Sequence, residues 1–497
     1  MKLAAVPLIF AASILAYSMP QIDSLALKSQ QAKQLMAEGQ FQQAISLYRE
    51  LDKAVPNNPG LKLNLGMALQ LAGKKREAIP ELEQAVKLDP QMAPAWLFLG
   101  TTRLQLGETV AAVKPLRTVL ELQPDQQQAR QMLAGALLSL GRADEATVEY
   151  HRLTSENPEN AQAWYGLGRA YESLSSRAFE KLQRSAPESG YVLSLLGEAR
   201  LREQQFSSAF FLYRLALERM PTLRGLHSGL AEIYWRTGHS EWAETEEQRE
   251  AKLPFLDCHS ATPECQFRTR NYEELVGAAK SANTSESFYW MTRAYNESAL
   301  NAFDRLGQLP PSAELHELKA HIYNSQKKYS EAASEWQKAL QLSPNDTQIK
   351  KELAISLKLG ENYSQALPLF QELLKQQPDS AELNYLLGDT LLDLQRPVEA
   401  IPLLKQAVTR DPKSLAVHKA LARSELATGK TLEAIPHLKV ALDSDEDGTV
   451  HYQLAQAYRA TGQTELANKM LREYQSLQRS AAAQAEGSRQ DTEITAP

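Results

Sequence analysis

Two cysteines, nine scattered histidines and one acidic turn are the groups in this 497-residue chain whose chemistry needs testing first. Cys258 and Cys265 share one short loop, with His259 between them. A zinc site would need both thiolates, His259 and a fourth ligand, and no His or Asp cluster supplies that ligand at a familiar spacing. The C-x-x-C spacing of a redox pair is also missing. An exported chain would join the two in a disulfide, closing a small loop for a gain of about 2 kcal/mol in the chain-entropy picture. Free thiols are the alternative. Residues 443–448, Asp-Ser-Asp-Glu-Asp-Gly, open like a calcium loop, but the twelfth place, where a bidentate glutamate belongs, is Leu454. The simpler reading is an acidic turn. His316 and His321 are five apart, which takes them off a common helix face. No G-x-S-x-G, phosphate-binding glycine loop or H-E-x-x-H occurs. The sequence therefore offers no catalytic set, no metal site and no cofactor site, and a non-enzymatic protein is expected.

Charge narrows the partners. The formal net charge is −6, and Lys and Arg form no block, which argues against nucleic acid. The N-terminus carries an address: basic Met1-Lys2, an apolar run from Leu3 to Tyr17, then Ala16-Tyr17-Ser18 as an A-x-S cleavage pattern. This reads as a secretory signal peptide over residues 1–18. An uncleaved anchor facing the periplasm is the alternative, although about 15–17 apolar residues is short for a bilayer span. The mature chain is then periplasmic or secreted, and any membrane contact runs through that segment alone.

The elements that must position everything else come from a repeat. Residues 59–92 return at an offset of 34: Leu65-Gly66 as Leu99-Gly100, Gly73 as Gly107, Ala78 as Ala112, Leu82 as Leu116, Pro90 as Pro124. One such unit cannot bury its own apolar face and must stack on copies of itself. Place 8 is Gly or Ala and place 20 Ala, where two helices cross closely. Place 24 is large, place 15 is often Gly at the end of the first helix, and place 32 is Pro. Eleven full units and two short ones fill about 25–481. The first short unit, opening at Trp164, loses its turn between Ser173 and Arg177, and Phe288 to Pro311 echoes it at an offset of 124. An N-terminal array at 25–257, a cysteine loop with a half-repeat lacking its first helix at 258–284, and a C-terminal array at 285–481 follow. Residues 482–497 lack periodicity and are expected to be disordered. Pro80, Pro368, Pro402 and Pro436 recur at place 22, inside the second helix, which suggests a late helix start or a repeated bend.

Small residues at 8, 20 and 27, bulky ones at 4, 7, 11 and 24, and proline at 32 resemble the tetratricopeptide repeat family. The resemblance implies an all-α, right-handed superhelical solenoid of helix-turn-helix units. It also implies a concave groove, lined by first helices, that binds proteins or peptides; the signal segment is similar to that of exported bacterial members. In the family, places 2, 5, 9 and 12 face this groove. Here they yield a basic, aromatic-dotted strip over four late units: Lys351, Lys358, Tyr385, Lys419, Arg423, Tyr452 and Arg459, with Asp389 among them. Such a strip would suit an acidic segment or a carboxylate. The carboxylate clamp of chaperone-binding members is not reproduced, because Lys351 is followed by Ile355. The early units present Leu63, Met67, Leu97 and Leu104 instead. The expectation is an exported scaffold for protein partners, or an anchored envelope assembly or export component.

Overall fold

The computed structural model describes residues 19–254, 256, 258, 262–490 and 494–497. The signal segment at 1–18, and His259, lie outside the described residues. Among the described residues every regular element is helical.

The first four helix pairs are α1 (Met19–Ala37) with α2 (Phe41–Ala54), α3 (Pro59–Leu71) with α4 (Lys75–Leu88), α5 (Ala93–Gln105) with α6 (Thr109–Leu122), and α7 (Gln127–Ser139) with α8 (Ala143–Glu156). A long helix, α9 (Ala161–Ser185), comes next. Then follow α10 (Gly190–Arg202) with α11 (Phe206–Arg219), α12 (Leu226–Arg236) with α13 (Ser240–Ala251), and α14 (Pro263–Arg268) with α15 (Tyr272–Ala282). A second long helix is α16 (Ser285–Gly307). The remaining pairs are α17 (Ala313–Ser325) with α18 (Tyr329–Leu342), α19 (Thr347–Leu359) with α20 (Tyr363–Gln376), and α21 (Ala381–Asp393) with α22 (Pro397–Arg410). Last come α23 (Leu415–Ala427) with α24 (Thr431–Ala441), and α25 (Thr449–Ala460) with α26 (Thr464–Gln490).

The α3/α4 pair shows why the sequence folds this way. The Lys74 amide returns to the Leu69 carbonyl (2.8 Å) and the Gly73 amide to that of Gln70 (3.0 Å). This ends α3 with Gly73 in the left-handed region at φ 79°. A Cβ built on Gly66 would stand 2.6 Å from Leu82 Cγ, so glycine lets these two helices cross this closely. Ala78 and Leu82 are both fully buried beneath the crossing. The recurrent prolines do not mark late starts. Pro80, Pro368, Pro402 and Pro436 are each the sixth residue of an established helix. All four are exposed, as are Arg76, Ser364, Val398 and Leu432 one turn earlier, whose carbonyls the prolines leave without an amide. Water can satisfy those carbonyls, which keeps the cost well below that of a buried break.

The helices form two compact units. The first comprises the described chain up to Ser175 together with Tyr295–Ala302, and the second comprises Ser176–Ala294 with Phe303–Pro497. The lost turn of the first short repeat fuses its two helices into α9, 25 residues long against 13 or 14 in the regular repeats. Its echo fuses likewise into α16, of 23 residues. Within each unit the part of α9 that lies there meets the part of α16 that lies there, which the repeat pattern alone does not reveal. In the first unit Ser175 Oγ donates to Asn296 Oδ1 (2.7 Å), the Tyr171 and Tyr295 rings lie 6.2 Å apart, and Ala302 joins the core of Ala163, Leu167 and Ala170. In the second unit Ser185 and Ser285 share a hydrogen bond (3.4 Å), and Lys181 lies over the Phe288 ring. Within each unit the contacts run antiparallel.

Two further findings depart from the sequence expectation. The half-repeat does have a first helix, the six-residue α14, capped by Thr262 and tied to the preceding chain by a Cys258–Cys265 disulfide with a Cα–Cα distance of 5.5 Å. In addition, periodic structure does not end near Ser480. Helix α26 continues to Gln490, and a separate segment, Ile494–Pro497, is placed by a hydrogen bond from Tyr234 to Thr495.

Candidate peptide-binding face

The late first helices α19, α21, α23 and α25 carry the strip. Their starts are set locally: the Asp346 carboxylate accepts from the amides of Gln348 and Ile349, and Ser380 Oγ accepts from that of Leu383. The acidic turn does similar work for α25. Buried Asp445 accepts from the amides of Val450 (3.0 Å) and His451 (2.8 Å) and meets His451 Nδ1 at 2.5 Å. Asp447 accepts from the Thr449 amide (2.9 Å). The Thr449 amide first, then the Thr449 hydroxyl, Asp445 and the nearby Lys419 charge, hold the Asp447 carboxyl below its usual range. These carboxylates are engaged with helix amides, so the segment is built as a capping turn.

Lys351 and Lys358 of α19, Asp389 of α21 and Arg423 of α23 share one face, because ion pairs join them across consecutive first helices. Lys358 Nζ of α19 reaches Asp389 (2.7 Å) and Asp393 (3.0 Å) of α21. Arg423 of α23 approaches the same two carboxylates at 3.6 and 3.8 Å. Lys351 Nζ meets both oxygens of Glu382 at 3.0 and 3.1 Å. Burial pulls the Lys358 ammonium down, but the hydrogen bonds and charge of Asp389 and Asp393 outweigh it, and its pKa ends above the ordinary lysine value. Tyr385 is half-buried one turn from Asp389, and burial followed by that negative charge raises its hydroxyl pKa. Tyr452 is 44% exposed with its ring 5.4 Å from that of Tyr474. Arg459 is exposed in the last turn of α25.

The face is therefore charge-balanced over its central part, where the sequence suggests a basic one. Sequence reasoning missed Glu382, although it lies at place 2, one of the four groove-facing places, and Asp393, which lies at place 13, outside them. Asp393 ends α21, one helical turn from Asp389, and that spacing was the available signal.

Models of the tetratricopeptide repeat match residues 35–79, 69–137, 357–424 and 391–447. Three further models of the same description match 132–176, 313–346 and 449–478. Together the matched stretches take in more than half of the chain. The chain belongs to the tetratricopeptide repeat family. Comparison with curated proteins finds no match. Similar solved structures include MamA 41-end from Desulfovibrio magneticus RS-1, at 21% identity over 34% of this chain and 96% of that one, with a TM-score of 0.32. A crystal structure of MamA is 30% identical over 28% of this chain and 82% of that one, with a TM-score of 0.28. A tetratricopeptide repeat protein from Parabacteroides merdae is 16% identical over 67% of this chain and 99% of that one, with a TM-score of 0.32.

In the early tetratricopeptide repeats the predicted apolar residues are largely absorbed by the fold. Leu63 packs at the edge of the core around Leu65 and Leu69, and Leu97 and Leu104 at the edge of the next core around Leu116 and Leu133. Met67 is half-buried. Among the described residues no helix is long and apolar enough to cross a membrane.

Proposed function

We propose that this tetratricopeptide repeat protein is a non-enzymatic scaffold, working outside the cytoplasm, whose late first helices hold a segment of a partner protein. The observation that carries this reading is the continuous file of ion-paired side chains from α19 through α21 to α23. Lys358, Asp389, Asp393 and Arg423 hold one another in place, which reduces the entropy lost when a ligand docks. A face of balanced charge favours a partner segment that itself carries both signs, so that each ligand charge meets an opposite one without stranding a neighbour. Export rests on the N-terminal segment and is supported by the Cys258–Cys265 disulfide, a bond at home in an oxidising compartment.

The test is crosslinking and pull-down from the native compartment with the wild-type chain and with Lys351→Glu, Lys419→Glu and Arg423→Glu combined. Loss of the captured protein, with the helical content intact by circular dichroism, supports the face. Unchanged capture removes it. Fractionation of the same cells separates a soluble scaffold from one anchored through residues 1–18.

A further inference from the structure

One buried hydroxyl in the second unit is satisfied from a distant part of the chain. Tyr234 on α12 has its ring fully buried, and its hydroxyl donates to the main-chain oxygen of Thr495 at 2.6 Å, across 261 residues of sequence. Around it stand Trp242 of α13 and Phe210 of α11, with ring centroids 5.5 and 5.8 Å from that of Tyr234. His239, in the turn before α13, stacks flat on Trp242 at 4.3 Å with 9° between the planes. His239 and Trp242 are only partly buried.

The visiting segment is not part of a helix, and its recognised atom is a backbone carbonyl. Ile494 is half-buried where it arrives, while Thr495, Ala496 and Pro497 are exposed. Its delivery is built into α26, which has 27 residues where a regular second helix has 14. At 1.5 Å per residue the excess extends the helix by about 20 Å. Only three residues then separate Gln490 from Ile494.

We propose that the face formed by Phe210, Tyr234, His239 and Trp242 is a docking site for an extended peptide, and that its resident occupant is the chain's own segment Ile494–Pro497, held in cis. A hydroxyl that binds a main-chain oxygen reads backbone, not side chain, so the site fits an extended segment with one branched apolar residue beside the bonded carbonyl. A tether this short keeps the occupant at an effective concentration of about a millimolar, enough to exclude a weak competitor. The segment thus gates its own site.

The test uses the full chain and a fluorescently labelled peptide of residues 491–497, followed by anisotropy. Ile494→Asp in the chain releases the resident segment without touching the aromatic face. The labelled peptide should bind that variant at least about tenfold more tightly than it binds the wild type. Adding Tyr234→Phe, which keeps the ring and removes only the hydroxyl, should weaken peptide binding to the Ile494→Asp chain by about five- to tenfold. Equal binding to wild type and Ile494→Asp, or no binding to either, overturns the proposal. A wild-type chain that light scattering shows as a dimer, and the Ile494→Asp variant as a monomer, also overturns it, because the occupant is then a second copy. No partner protein enters the assay, so its failure is separable from failure of the α19–α23 face.

Discussion

The pairs α3/α4 and α14/α15 perform the same task with different materials. Both turn on a residue in the left-handed region, Gly73 at φ 79° and Arg270 at φ 60°. Five residues past that turn the regular pair has Ala78 and the short pair Leu275; nine past it they have Leu82 and Ala279. All four are buried, so large and small have exchanged places. The cause is the length of the first helix. With 13 residues, α3 brings Gly66 onto Leu82 and needs Ala78 small. With six, α14 is too short for that crossing, and the bulk moves one turn earlier on its partner. The disulfide stands where the missing turns would be.

Breaking the comparison begins in the regular pair. Leu82→Ala should cost about 3–4 kcal/mol, since the side chain is fully buried against backbone that cannot follow it. Denaturant unfolding, with hydrogen exchange locating the loss at α3/α4, measures it, and a cost under 1 kcal/mol would mean that the crossing is loosely packed. Next comes Cys258→Ser with Cys265→Ser, expected to cost about 2 kcal/mol through the freed loop. The faster exchange should be confined to the amides of α14 and α15; equal loosening of α12 and α13 would show that the crosslink braces more than its own pair.

The turn residues sharpen the contrast in opposite directions. Gly73→Ala should destabilise by about 1 kcal/mol because it places a Cβ at positive φ, while Arg270→Gly should stabilise by somewhat less, the added chain entropy offsetting part of the relief. Thermal unfolding of the two variants checks the signs, and like signs would contradict the shared turn geometry. Smallest is Glu264→Gln at the start of α14, where pairs with Arg268 (3.1 Å) and Arg224 (3.4 Å) are lost. About 0.5 kcal/mol is expected, and added salt should erase it.

What could be foreseen follows the range of the interactions involved. The 34-residue period, the turn at Gly73, the Gly66–Leu82 crossing and the fusion of helices at Ser173–Arg177 are all written within about two helical turns or one repeat of the residues that cause them. The pairing of α9 with α16 is not, because similar sequences at an offset of 124 say that two segments are alike, not that they touch. The recurrent prolines were hard to read for a related reason: which side of the second helix meets water is not written in one repeat, and Pro80 is exposed whereas Pro115, one place further along its unit, is buried inside α6. At the candidate face the cations were readable from repeat places alone. Their carboxylate partners were legible only in part: Glu382 stands at place 2, within the rule, whereas Asp393 reaches the face from place 13, which the rule leaves out.

The contacts of α9 with α16 inside the first unit set a timetable for biosynthesis. Most solenoid pairs can close as soon as they leave the ribosome, each on the neighbour just made. Here the Tyr171 side of α9 must wait for Tyr295, 124 residues downstream, or roughly 6–25 s at ordinary translation speeds. Through that interval the nascent N-terminal array has an uncovered apolar edge, the stretch of its synthesis where a holding chaperone would matter most.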